Sequence, residues 1–287
     1  MVAPAHDDLG LGSWRRDPGT VVRQAVSVPA GDPAPLVIIA ESEVPGVATE
    51  WSPHSHPMHE LVWVRGGTLT SRIGNRIFTV PAGFGMWLPA GVVHGGRLTA
   101  AAELHDAFFA PERTPVAFAG PTLITVTPLL ESLLLRLERD DLDFGARART
   151  EAVVFDVLDP AERQFAIELP GDPRIDTIAE ALLADPSDDR GLLEWAAQLG
   201  VSDRTITRAF RSATGLSFAQ WRQALRVHEA LALLSEGVDV RGVSERLGYS
   251  QPSTFIAAFR RVMKVTPGAL DVRNPVSPVL GAGLPTS

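Results

Sequence analysis

The chain has 287 residues, of which 45% are apolar and 21% are charged, and it contains no cysteine. This length suffices for two domains with separate cores, and the lack of cysteine excludes disulfides, cysteine-ligated zinc and thiol chemistry. The first residues lack the apolar segment of a signal peptide, and no apolar run is long enough to cross a bilayer. The sequence therefore predicts a cytoplasmic protein with no membrane partner.

The net charge of −8 hides an asymmetry along the chain. Residues 204–264 contain ten lysines and arginines and four acidic residues, which gives this segment a net charge of +6. The rest of the chain therefore has a net charge of −14. A basic segment on an acidic protein is typical of a DNA-binding domain.

The first predicted domain is rich in short β-strands. Runs such as PLVIIA, HELVWV, GTLTSRI, RIFTVPAG and LHDAFFA follow one another between about 21 and 118, separated by glycine and proline. Short strands with turn residues between them are typical of a β-sandwich or β-barrel. We therefore predict an all-β N-terminal domain.

A cluster of histidines lies at the start of one predicted strand, in the stretch SPHSHPMHELVWVRGG from Ser52 to Gly67. Because side chains alternate along a strand, His54, His56 and Glu60 are expected on one face and His59 on the other. This spacing favours a binding or catalytic site on the first face. His59 is expected at the protein surface.

Two helices are predicted after the β-rich region. The stretch PLLESLLLRLERDDLD places Leu130, Leu133, Leu134 and Leu137 at helical spacing, and ARARTEAVVFDVLD follows it. The leucine stripe has two interpretations, a helical cap on the β domain or a dimer interface. The segment LPGDPR at Leu169–Arg174 marks the predicted domain boundary.

The C-terminal region contains an internal repeat. LGVS at Leu199–Ser202 recurs as LGYS at Leu247–Ser250, and TITRAFR at Thr205–Arg211 recurs as TFIAAFR at Thr254–Arg260. Each copy is predicted as a helix, a short turn beginning with glycine and a second helix, the helix-turn-helix arrangement that places its second helix in the major groove. Between the copies, Ser217–Leu234 is predicted to form a connecting helix about 27 Å long.

The second helix of the first copy has a basic outer face. Ile206, Ala209 and Phe210 form its apolar side. The side chains left outside are Arg204, Thr207, Arg208 and Arg211. Arginine reads guanine edges and also pairs with phosphates, so this face is predicted to contact DNA.

These features resemble the AraC/XylS family of bacterial transcription regulators over roughly 175–270. The matching motifs are GVSDRTITRAFRSATGLS, the connector pattern that begins at Arg226, and LGYSQPSTFIAAFRRVMKVTPG. The resemblance implies a double helix-turn-helix domain in which the first recognition helix makes most base contacts.

The second copy departs from the family pattern. Ala257 replaces an arginine that is common on the groove-facing side, and Lys264 stands where a helix-ending glycine is usual. The candidate DNA contacts in this copy are Gln251, Ser253, Thr254 and Arg260. We expect them mostly to hold phosphates or touch a thymine methyl group.

The histidine stretch and GFGMWLPAGVVH at Gly83–His94 together resemble the cupin barrel, although Leu98 stands where cupins often carry asparagine. In metal-binding cupins the equivalent side chains coordinate a divalent ion. The resemblance therefore implies four metal ligands, His54, His56, Glu60 and His94. Three imidazoles and one carboxylate suit Fe, Mn, Ni, Zn or Cu. Alternatively, these groups hydrogen-bond within the barrel or contact an organic ligand.

We predict an α+β multidomain protein with a cupin-like (double-stranded β-helix) sensor domain at 1–120, a helical linker and dimerisation region at 121–172, an all-α double helix-turn-helix domain at 173–272 and a disordered tail at 273–287. The expected function is a DNA-binding transcription factor whose barrel senses a small molecule or a metal. Expected partners are duplex DNA, the effector, a second copy of the chain and RNA polymerase.

The alternative to a transcription factor is a metal-dependent cupin enzyme, a dioxygenase or isomerase, that carries a DNA-binding domain. No second cluster of acid–base residues accompanies the four ligands, so we expect no enzymatic activity.

Overall fold

The computed structural model describes residues 19–24, 37–116, 118–139, 141–162 and 164–269. The strands are β1 (Val21–Arg23), β2 (Ile38–Glu43), β3 (Thr49–His54), β4 (His59–Arg65), β5 (Thr68–Ile73), β6 (Arg76–Pro81), β7 (Phe84–Leu88), β8 (His94–Leu98), β9 (Glu103–Phe109), β10 (Thr122–Thr125) and β11 (Ala166–Glu168). The α-helices are α1 (Pro128–Leu137), α2 (Phe144–Asp156), α3 (Asp176–Ala184), α4 (Leu192–Leu199), α5 (Asp203–Thr214), α6 (Phe218–Ser235), α7 (Val240–Arg246) and α8 (Pro252–Met263).

Two β-sheets form the N-terminal domain. The strand order is β1-β3-β8-β5-β6-β11 in the first sheet and β10-β7-β4-β9-β2 in the second. Apolar side chains from both sheets, such as Val62, Leu69, Leu98 and Leu104, are buried in one shared core. Because each strand alternates its side chains, the inward positions of the two sheets meet between them. The prediction of an all-β N-terminal domain is confirmed.

Gly67 lies where the chain crosses from β4 in the second sheet to β5 in the first. Its φ angle is +68°, a conformation that residues with a side chain rarely adopt. A Cβ atom at this position would also collide with Thr99 and Ala102. Glycine is therefore required here for steric reasons.

The leucine stripe of α1 is the inner face of a cap on the second sheet. Leu130, Leu134 and Leu137 are at most 2% exposed, and they share a core with Trp87 and Phe109 of the sheet. These side chains are therefore not free to face a second copy of the chain. Of the two interpretations of the stripe, the structure supports the cap.

The segment 121–172 also contains two strands, where the sequence predicts only a helical linker. Strand β10 pairs with β7, and β11 pairs with β6. Both pairings cover strand edges whose backbone N–H and C=O groups would otherwise lack partners within the sheets. Such short strands have no periodicity of their own, so only the sheet that they complete reveals them.

The connecting helix α6 lies against the outer face of the first sheet. The Nδ1 atom of His228 is 2.7 Å from the Oγ1 atom of Thr79 in β6, and Thr68 of β5 donates to Ser235 (2.8 Å). Near the other end of α6, the indole N–H of Trp221 donates to the carbonyl of Glu168 (2.7 Å). The barrel and the helical domain therefore share buried contacts along the length of α6.

Among the described residues no helix is both long and apolar enough to cross a membrane. The tail predicted to be disordered, 273–287, lies outside the described residues.

Candidate ligand cavity and nucleic-acid interface

Three histidines converge inside the barrel. His54 ends β3 and pairs in register with His94 at the start of β8, and His56 lies in the turn that follows β3. Each histidine offers one ring nitrogen to a shared point, and these three nitrogen atoms lie within 4.8 Å of one another. A group of this kind could hold a metal ion.

The expectation that the stretch from Ser52 runs as one strand is wrong. Strand β3 ends at His54 and β4 begins at His59, so strand alternation does not place His56 and Glu60. Pro57 has no backbone N–H to donate to a neighbouring strand. The carbonyl of His56 accepts a hydrogen bond from the backbone N–H of Gly91 (2.8 Å), outside any strand pairing. The turn itself therefore brings His56 beside the other two histidines.

The hydrogen bonds of His54 and His94 fix their tautomers. The Nδ1 atom of His54 is 2.7 Å from the carbonyl oxygen of Ser52, and that of His94 is 3.0 Å from the carbonyl oxygen of Val92. A carbonyl only accepts, so each Nδ1 carries the proton and each Nε2 keeps a free lone pair. Histidines that bind metals usually donate their other ring N–H to an acceptor in this way.

The three histidines are neutral near pH 7. Burial, and after it the neighbouring histidines, lower the pKa of His54 and that of His56 to about 4. Burial also lowers the pKa of His94. Neutral imidazole is the form that binds a metal, so the buried cluster is kept in its ligating form.

Glu60 faces the histidines from β4. Its Oε2 atom is 3.3 Å from Nε2 of His94 and 3.5 Å from Nε2 of His56, and it has no hydrogen-bond partner. Because the Nε2 atom of His94 is an acceptor, a proton or a cation is needed between it and a carboxylate oxygen. Burial raises the pKa of Glu60 to about 7, which lets the carboxyl group supply that proton when no cation is present.

The four side chains line one cavity of about 360 Å³ between the two sheets. This volume is within the range of small-molecule sites. Apolar side chains from both sheets, including Trp51, Leu69, Leu104 and Phe108, form much of its lining.

Asp106 of β9 also lines this cavity, and the sequence reasoning missed it. Burial raises its pKa well above the usual value, and the neighbouring Glu60 raises it further. The signal was present in the sequence, because strand alternation places Asp106 on the same face as Leu104 and Phe108. His59, in contrast, lies outside the cavity lining, where its Nδ1 atom accepts a hydrogen bond from Ala90 (3.0 Å).

The first recognition helix, α5, matches its prediction. Ser202 caps it by accepting a hydrogen bond from the backbone of Thr205 (3.1 Å), and its buried residues are Ile206, Ala209 and Phe210. Arg204, Arg208 and Arg211 are exposed, and Thr207 is partly exposed. A continuous basic face is therefore open to a partner.

The second recognition helix, α8, presents a less basic surface. The candidate contacts Gln251, Ser253, Thr254 and Arg260 are exposed. Ile256 is half-buried beside Ala257. The face between the polar residues is thus apolar, which suits a thymine methyl group better than a guanine edge.

Lys264 ends α8 in a left-handed conformation with a φ angle of 59°. The equivalent position at the end of α5 is Gly215, with a φ angle of 72°. Left-handed backbone disfavours side chains with a Cβ. We expect Lys264→Gly to raise the free energy of unfolding by up to about 1 kcal/mol. Urea unfolding of the two proteins checks this, and a less stable variant would contradict it.

Two family models match the chain. One, described as a helix-turn-helix domain, covers 195–272, from within α4 through α8. The other, described as an AraC-like ligand binding domain, covers 41–117. The second range includes the three histidines, Glu60 and Asp106.

Among curated relatives, the HTH-type transcriptional regulator NimR of Escherichia coli (strain K12) is 33% identical over 231 residues, which are 78% of this chain and 84% of that protein. The HTH-type transcriptional regulator RipA of Corynebacterium glutamicum is 30% identical over 230 residues, 72% of this chain and 60% of that protein. A solved structure, the DNA-binding domain of AdpA in complex with a target DNA, is 35% identical to this chain. The match covers 34% of this chain and 88% of the AdpA chain, with a TM-score of 0.31.

Proposed function

The chain belongs to the AraC-type family of HTH transcriptional regulators, and on this premise we propose how it reads DNA. Helix α5 reads base edges through Arg204, Thr207 and Arg208, while Arg211 holds a phosphate. In α8, Gln251, Ser253, Thr254 and Arg260 grip the backbone or touch a thymine methyl group. The observation that carries this proposal is the exposed basic face of α5, whose apolar side is buried.

We expect Arg208→Ala in the full chain to weaken binding to a specific site by about 1–3 kcal/mol and to relax the preference at one base pair. The matched control is Arg241→Ala on α7, an exposed arginine that pairs with Glu245 within its own helix. Fluorescence anisotropy on specific and random duplexes at several salt concentrations gives the comparison. Equal losses on both duplexes would make Arg208 a phosphate contact. No binding of the wild type at low salt would contradict the proposal.

We propose that the barrel holds a divalent transition metal on the histidine cluster. The residues fit such an ion, because His54 and His94 keep their Nε2 lone pairs free and Glu60 presents an unpartnered oxygen beside them. His54, His56 and His94 would be its ligands, with Glu60 as a fourth. A bound Fe, Mn, Ni, Zn or Cu ion would supply positive charge at the end of the cavity.

We propose a sensor rather than an enzyme for this cavity, and the regulator names of the relatives support that role. Sensing requires only that ligand binding change the DNA-bound population. The cavity lining includes Leu69 of β5, and the same strand contacts α6 through Thr68. A shift of β5 would therefore reach the connector of the two recognition helices directly.

The proposed setting is the cytoplasm, where the regulator would meet DNA and RNA polymerase. We also propose a homodimer, the commonest oligomer, which would bind operators that come as paired sites. The interface would use surfaces other than the buried stripe of α1. The outward side of the α1–α2 cap offers exposed apolar groups at Leu129, Phe144 and Val153.

A further inference from the structure

A cleft of about 290 Å³ lies between α6 and α8 in the helical domain. One stripe of α6 forms its first wall, and the residues of this stripe are Ala219, Arg222, Gln223 and Arg226. The second wall is one side of α8, where Thr254 and Arg261 lie two turns apart. The cleft therefore joins the connector to the second recognition helix.

The cleft is positively charged. Among the described residues that line it, Arg222, Arg226 and Arg261 are basic and none is acidic. Arg226 is buried, and its guanidinium donates to the carbonyl oxygens of Pro186 (2.7 Å) and Asp188 (3.1 Å). Burial lowers the pKa of Arg226, and the charge of Arg222 lowers it further. The neighbouring guanidinium groups thus repel each other, and an anion beside them would relieve this repulsion.

Two of the three arginines keep most of their donors for a ligand. Arg222 donates to the backbone carbonyl of Arg190 (2.8 Å), and Arg261 donates to the side-chain oxygen of Gln223 (3.2 Å). Both acceptors are neutral, so neither hydrogen bond neutralises its arginine. A guanidinium group has five N–H donors. Arg222 and Arg261 can therefore bind an anion without giving up these contacts.

The cleft faces away from the barrel. Trp221, His228 and Ser235 are spaced by seven residues along α6, and their side chains hydrogen-bond to β11, β6 and β5. Ala219 and Gln223 each lie two residues from Trp221, which places them about 160° from it around the helix axis. The cleft stripe is therefore on the side of α6 opposite the docked barrel, where a large partner has access.

We propose that this arginine cleft binds a phosphate group of the DNA backbone, between the two major-groove segments read by α5 and α8. Thr254, an exposed candidate DNA contact, belongs to the same cleft. Successive major-groove segments on one DNA face are roughly 34 Å apart, and the connector spans the backbone between them. Arg222 and Arg261 donate charge-assisted hydrogen bonds to the phosphate oxygens. This inference rests on the proposed function and adds a contact that positions the protein without reading sequence.

Arg261→Gln removes one guanidinium group from an exposed position on α8. Fluorescence anisotropy over a range of salt concentrations measures binding of the full-length protein to two duplexes, one selected by the wild type from a random library and one of random sequence. We expect Arg261→Gln to bind both duplexes about fivefold to tenfold more weakly at about 0.1 M salt. The slope of log affinity against log salt should be smaller by about 0.9, the contribution of one phosphate.

The matched control is Arg241→Gln on α7, an exposed arginine that pairs with Glu245. It should keep the wild-type affinity and the wild-type salt slope. Melting curves of both variants confirm that each is folded at the temperature of the binding measurement. An unchanged salt slope for Arg261→Gln, or a loss confined to the selected duplex, would overturn the inference.

Duplexes with a single neutral methylphosphonate link locate the phosphate. The link is placed in turn at each backbone position between the two major-groove segments of the selected duplex. We expect one or two adjacent positions at which the neutral link weakens the wild type but does not weaken Arg261→Gln further. If the two proteins respond alike at every position, the inference fails.

A free phosphorylated ligand presents the same chemistry as the backbone, and pyrophosphate distinguishes the two sources. We expect pyrophosphate, added without DNA at constant ionic strength, to leave the melting temperature of the wild type unchanged. A rise that Arg261→Gln abolishes would assign the cleft to a free ligand and overturn the inference.

The inference and the proposed function can fail separately. A wild type that binds the duplexes while Arg261→Gln keeps its salt slope overturns only the phosphate site. A wild type that binds no DNA at low salt overturns the proposed function.

Discussion

Replacing both His56 and His94 with alanine is expected to abolish metal binding by the barrel. The two histidines come from separate parts of the chain, the turn after β3 and the start of β8. A metal held by both therefore stabilises the folded barrel by mass action, by about 2.7 kcal/mol at a free metal concentration one hundred times the dissociation constant. The double variant should gain none of this stabilisation.

The measurement is metal content after purification, followed by melting curves with added Fe, Mn, Ni, Zn or Cu ions. His59→Ala is the matched control, because His59 lies nearby in sequence but outside the cavity lining. It should bind metal as the wild type does. If no ion raises the melting temperature of the wild type, or if the double variant responds equally, the metal proposal fails and the cluster serves an organic ligand alone.

His228 is expected to make the docking of α6 on the barrel sensitive to acid. Its ring is buried beside Thr79, and burial lowers its pKa from 6.5 to about 4. Between these two values the unfolded chain binds a proton on this residue and the folded chain does not. The free energy of unfolding therefore falls as the pH drops from about 6.5 towards 4, and the loss from His228 alone amounts to about 3 kcal/mol.

The His228→Gln variant isolates this contribution, since glutamine can still hydrogen-bond to Thr79 but does not titrate. Urea unfolding between neutral pH and pH 4 should show a smaller loss of stability for the variant than for the wild type. The buried histidines of the cavity contribute equally to both proteins and cancel in the difference. His59→Gln, at a less buried histidine, should keep most of the wild-type slope. Parallel curves for the wild type and His228→Gln would contradict the assignment.

Local patterns predicted the elements whose signals lie within one stretch of sequence. The recognition helix α5 has a cap, an apolar stripe and a basic face within twelve residues, and the structure contains each of them. The connector, predicted at Ser217–Leu234, is α6 at Phe218–Ser235 with Ser217 as its cap. These features depend on helical periodicity and capping, which neighbouring residues determine.

Features that depend on distant parts of the chain could not be predicted in the same way. The break between β3 and β4 depends on Gly91, which binds the carbonyl of His56. The hydrogen bond between Thr68 and Ser235 joins residues 167 positions apart. Strand alternation could have placed Asp106 on the inner face of β9, but only the pairing of β9 with β4 and β2 brings it beside Glu60 and Glu41.

The proposed function depends most on α5 reading DNA sequence in the cell. The most direct test is a genome-wide map of the sites occupied by the wild type and by Arg208→Ala, with both proteins expressed at the same level. We expect the wild type to occupy a limited set of promoter regions that share a sequence motif, and Arg208→Ala to lose most of these sites. Occupancy without a shared motif, or an identical map for the two proteins, would contradict the central claim.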